Sequence, residues 1–293
     1  MKASLFFLSY FLAAAFLAAF IAFPLFQLAQ SDAYQFERWV TRSALLLLVI
    51  GIFPTLIAFK LSFNAIGHNT TIKDFLSKFL FSFVTGLCIL VVVVLSILLL
   101  DIRIIDMSKS LTTKLILSSI FAGLLVAFIE ETLFRGLFFT LSKRWHTTIT
   151  AIIVSSFFYA LLHFINPIEH IDSLSLNWLS GTDVILNAFN AVLLLNITDF
   201  LALFSVGVLL AMVRHRTNSL VYCIGLHASW VFLIKISKEL STANSSSEWS
   251  FLVGQYDGII GLLCFTWLVI VISTYWFYIV KVSKSNLTKN PIS

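Results

Sequence analysis

Between Phe75 and Leu100 the chain reads FLSKFLFSFVTGLCILVVVVLSILLL, with Lys78 as its only charge. Such a stretch has few ways to fold. As a helix, about 20 apolar residues span a bilayer and satisfy every backbone N–H and C=O internally. Comparable runs recur along the chain, and they are continuous rather than alternating, which excludes barrel strands of about 10 residues. Hydrophobic residues make up 59% of the sequence and charged residues 11%, with mean hydropathy +0.99. Soluble domains carry about 25% charged residues. The expectation is an all-α, polytopic transmembrane helix bundle. The net charge of +5 is spread over short loops, so the partner it suits is the lipid bilayer and not nucleic acid.

The apolar runs predict about eight spans, over residues 5–29, 43–59, 75–100, 115–141, 147–165, 184–213, 220–234 and 258–280. The first is too long for a signal-peptide core of roughly 7–15 residues. The sixth is too long for one straight span and contains Asn187, Asn190, Asn196, Asp199 and Gly207. A tilted, broken or interfacial helix pair counted as one crossing is expected there. Tyr34 and Trp39 read as interfacial residues. Lys and Arg are in excess on the side of the termini, which places both termini in the cytoplasm. Cys88, Cys223 and Cys264 lie in separate apolar runs without metal or redox spacing. The chain divides into N-terminal helices (1–114), a core bearing the chemistry (115–235), and a loop, last span and basic tail (236–293).

Ionisable residues inside these runs need a reason, because each costs about 2.5–3.5 kcal/mol at the bilayer centre. Lys78 can snorkel from the start of its span and Asp199 falls where a broken helix is expected, which leaves Glu130, Glu131 and Arg135 within AFIEETLFRGLFF, His163 in the fifth span and His227 in the seventh. Glu131 and Arg135 stand at i,i+4 and can neutralise one another. Glu130 is turned away by a helix step of about 100°. An uncompensated carboxylate in a low-dielectric site suits a general base, and two imidazoles could hold a water against it or bind an oxyanion. A rise of about 1.5 Å per residue sets Glu130, His163 and His227 roughly 17, 24 and 13 Å deep, a spread that tilt can absorb. The plainer alternatives are a structural ion pair and a helix-end histidine bonded to a carbonyl. His68, His146, His170 and His215 fall in loops and receive no role.

The pattern EETLFRG at Glu130–Gly136, Tyr159 four residues before His163, and GLHASW at Gly225–Trp230 resemble the type II CAAX prenyl endopeptidases. These belong to the CAAX protease and bacteriocin-processing (CPBP), or abortive-infection, family. The resemblance covers about Leu115 to Ile234. It implies a bundle enclosing an intramembrane polar cavity, with Glu130 activating water against a peptide carbonyl. His163 and His227 would orient water or hold the oxyanion, and Glu131 and Arg135 would support them. The implied function is an intramembrane endopeptidase, of CAAX or leader/bacteriocin type, acting on a peptide or protein at the membrane.

Two positions depart from the family pattern. Tyr159 stands where Phe is usual, and Val231 stands where Asn often helps to hold the oxyanion. Asn190, Asn196, Ser229 and Asp199 are candidate substitutes. No cofactor is expected. Zinc stays open, since Glu130, His163 and His227 form a ligand set it accepts, but the spacing lacks the HExxH pattern. The alternatives to a protease are an inactive membrane scaffold or immunity protein, and a proton-coupled transporter. The latter usually carries an internal repeat, and none is apparent.

Overall fold

The computed structural model describes residues 2–29, 35–171 and 176–289, with side chains as far as residue 280. Tyr34 lies outside the described residues. The helices are α1 (Lys2–Ala29), α2 (Phe36–Ile50), α3 (Ile52–Ala58), α4 (Ile72–Leu99), α5 (Thr113–Glu131), α6 (Phe139–Trp145), α7 (Thr148–Leu162), α8 (Ser180–Asn190), α9 (Ile197–Thr217), α10 (Leu220–Leu240) and α11 (Leu262–Lys289). A π-helical segment, Thr132–Phe138, joins α5 to α6. Two short strands, β1 (Arg103–Ile105) and β2 (Ser241–Ala243), pair antiparallel.

Seven stretches are long and apolar enough to cross a membrane: α1, α2 with α3, α4, α5 through α6, α9, α10 and α11. At 15 residues α7 is shorter, about 22 Å. Packed along α9, it completes the expected count of about eight. Threonine hydroxyls start three of the helices, with Thr71, Thr112 and Thr147 accepting the N–H of Asp74, Leu115 and Thr150.

Several boundaries differ from the sequence expectation, each for a local reason. The long run from residue 184 is indeed a helix pair, but its crossing begins only at Ile197. Asn196 caps α9 there, its side chain accepting the Thr198 N–H at 2.8 Å, while α8 packs against α1 and α2. The second span starts at Phe36, not at 43. Its buried Glu37 accepts the Ile171 N–H at 2.6 Å, which ties the turn after α7 to α2. The seventh span runs on to Leu240 and takes Lys235 and Lys238 into the helix. The basic tail continues α11 as far as Lys289.

Helix α10 is clasped between α4 and α5. Small residues in GLHAS permit this approach. A Cβ at Gly225 would stand 2.7 Å from the Phe79 carbonyl oxygen, so even alanine would push the helices apart.

Phe6, near the start of α1, meets Phe59 and Trp145 with ring centroids 5.3 and 5.9 Å apart. The start of α1, the α3–α4 connection and the α6–α7 turn therefore share one face. Behind it the interior is solid. Phe7 stacks on Phe138 at 4.1 Å, and Leu137, Leu141 and Leu220 are fully buried. The half of the bundle toward the opposite face is hollowed by two cavities.

Candidate active site

The larger cavity, about 630 Å³, is lined by residues including Glu130, His163, His227, Val231, Lys235 and Tyr256. The smaller, about 410 Å³, is bordered by Phe11, Leu48, Glu130, His163, Asn166 and Tyr256, among others. They meet at Glu130, His163 and Tyr256. Their walls draw on segments before and after residues 115–235.

Glu130, His163 and His227 converge. His163 Nε2 is 3.8 Å and His227 Nε2 3.9 Å from Glu130 Oε2. These separations are too long for direct hydrogen bonds. The same Oε2 is buried and has no hydrogen-bond partner among the described residues. The expected disparity in depth between Glu130 and His163 disappears because the fourth span runs to Trp145 through the π segment, and α7 stops at Leu162. Counted from Trp145 and Thr148, Glu130 and His163 are level.

The other ring nitrogens are already engaged. His227 Nδ1 lies 2.8 Å from Glu131 Oε1, and His163 Nδ1 lies 2.7 Å from the Tyr159 carbonyl oxygen. A carboxylate and a carbonyl only accept, so both Nδ1 atoms carry hydrogen. In the neutral rings, both Nε2 lone pairs therefore face Glu130.

Glu131 Oε1 also accepts from Arg135 Nη1 at 2.9 Å, the i,i+4 pair read from the sequence. Both side chains are almost wholly buried. The guanidinium carbon sits 4.0 Å above the centre of the Tyr159 ring, a cation–π contact in a desolvated setting. Tyr159 thus acts on this arrangement through its ring and its carbonyl.

None of the four residues considered as substitutes at Val231 lines either cavity. Ser229 donates to the Leu226 carbonyl at 2.6 Å, Asn196 caps α9, and Asn190 is exposed. Asp199 is buried and accepts the Tyr256 N–H at 3.1 Å. It fixes a tight loop in which Asp257 Oδ1 accepts the N–H groups of Ile259 and Ile260. Gly254 is obligatory in that loop, because a Cβ there would overlap the Asp199 carboxylate. The loop carries Tyr256 to within 6.0 Å of the His163 ring, centroid to centroid. Tyr256 was not anticipated. Its only signal was an acid, Asp199, at the start of an apolar helix.

Among the described residues no group of three His, Cys, Asp or Glu is spaced to hold a metal ion.

Residues 112–233 match the family model described as type II CAAX prenyl endopeptidase Rce1-like. That segment is similar to the Rce1-like family. It begins at the cap of α5 and ends within α10, so it contains Glu130, Glu131, Arg135, Tyr159, His163 and His227. Lys235, Lys238 and Tyr256 lie beyond the Rce1-like segment, and Phe11 and Leu48 precede it. No curated protein and no solved structure matches the chain.

Proposed function

We propose that the chain is an intramembrane endopeptidase in which Glu130 is the general base. One observation carries the reading: both histidines have Nδ1 engaged and aim Nε2 at the same unpartnered carboxylate oxygen. Three acceptors converging on one point need hydrogens between them. A water placed there donates one to Glu130 and one to an imidazole, leaving an oxygen lone pair for a peptide carbonyl carbon. As that C–O bond forms, its proton passes to Glu130. The proton is then delivered to the amide nitrogen as the C–N bond breaks, giving a carboxylic acid and an amine.

Glu131 holds the His227 ring in position, and Arg135 neutralises Glu131. The Tyr256 phenol faces the cavity as a donor for the tetrahedral oxyanion, the role for which Val231 has no polar group.

The test uses purified protein in lipid nanodiscs and two internally quenched probes, a farnesylated peptide ending in a CAAX sequence and an unprenylated apolar leader peptide. Glu130→Gln is expected to lower cleavage by about 10²–10⁴-fold while leaving folding intact. Wild-type turnover in the Gln variant would remove Glu130 from the mechanism. Wild-type protein that cuts neither probe would favour the scaffold reading.

A further inference from the structure

The cavities occupy one half of the bundle only. Beyond the shared centre, the larger runs along the last turns of α10 past Val231, Ile234, Lys235 and Lys238. The smaller runs toward the first half of α2 and the turn after α7, at Thr41, Ile165 and Asn166. Both routes lead to the face where α10 ends and α2 begins. Toward the other face the interior is filled by Phe7, Leu137, Phe138, Leu141 and Leu220, each fully buried.

Charge follows the same division. The closed face carries Lys2, Lys60, Lys73, Lys78, Lys143, Arg144, Arg214 and Arg216, and α11 brings Lys281, Lys284 and Lys289 to the same side, 11 bases in all. The open face carries seven, Arg38, Arg42, Arg103, Lys109, Lys114, Lys235 and Lys238. An excess of Lys and Arg marks the cytoplasmic side of short-looped membrane proteins.

We propose that the closed face is cytoplasmic and that the site is loaded from the opposite side. This takes the hydrolytic site of the preceding section as given and names its substrate class. The substrate is an exported or membrane-tethered peptide presented outside the cytoplasm, not the C-terminus of a cytoplasmic protein. The scissile bond reaches Glu130 along the wall formed by α10.

Cysteine labelling tests the route without a substrate. Cys223 and Cys264 are buried and Cys88 is exposed, so Cys88→Ser gives the background. Three single variants are added: Lys238→Cys at the mouth, Ile234→Cys inside the cavity, and Lys143→Cys on the closed face. Lys238 and Lys143 are both exposed. In intact cells treated with a membrane-impermeant maleimide, the first two should label directly and the third only after permeabilisation. The reverse pattern overturns the orientation. Labelling at Lys238→Cys with none at Ile234→Cys from either side overturns the route. Because labelling requires no catalysis, the expected pattern together with an active Glu130→Gln enzyme would sink the hydrolytic reading alone.

Discussion

On the proposed reading the two imidazoles present lone pairs around Glu130 Oε2, so a developing oxyanion takes its hydrogen from elsewhere, and Tyr256 has one to give. Tyrosine 256 is 42% exposed where it lines both cavities. Tyr256→Phe is expected to lower kcat about 10²–10³-fold with KM little changed. Adding Val231→Asn should restore part of that loss, since position 231 lines the same cavity one turn beyond His227. A Phe variant with full kcat would sink the assignment. Most of this site was legible at the level of single residues. Three charges and two histidines in apolar helices announce themselves by their cost, and the helix step separates Glu130 from the Glu131–Arg135 pair. Tyr256 could not be read in the same way. A tyrosine in a polar loop is unremarkable until the fold shows where the loop goes.

The π segment is the element that the sequence did not disclose. All seven of its residues are buried, and an apolar run that is buried on every side has no period that would distinguish a wide turn from an ordinary one. The start of α9 was hidden for a similar reason, because the apolar run passes straight through the cap at Asn196. The π segment is covered from the closed face by the α3–α4 connection, where His68 Nε2 lies 3.0 Å from Thr132 Oγ1. The Thr132 hydroxyl donates to the Phe128 carbonyl at 2.6 Å, so it accepts from His68. Burial, and then the nearby Arg214 guanidinium, hold the His68 imidazole below its ordinary value. The folded protein therefore binds fewer protons here than the unfolded chain, whose histidine titrates near 6.5. This contribution is intact above about pH 6.5 and is lost as pH falls below it. Thermal unfolding in detergent should show a midpoint that drops between about pH 7.5 and 5.5, with a shallower drop in His68→Gln. An equal drop in the variant would assign the acid sensitivity to another group.

For the molecule as a whole, hydropathy was enough to read a helical bundle with about eight passes, because apolar length and backbone satisfaction leave little else. It could not show that one half is packed and the other hollow, since both halves are built from the same apolar residues. That division has an electrical consequence. A cavity that water enters carries the potential of the adjoining solution down to its floor, so the membrane voltage falls mainly across the packed half. An elementary charge crossing the full voltage is worth about 2.3 kcal/mol per 100 mV. On the proposed route Glu130 lies at the floor, spared most of that field, and meets the water of one compartment. In sealed vesicles of uniform orientation, the cleavage rate should follow the pH on the open side and ignore the pH on the closed side. A response to both would mean that protons reach the carboxylate through the aromatic packing of Phe7 and Phe138.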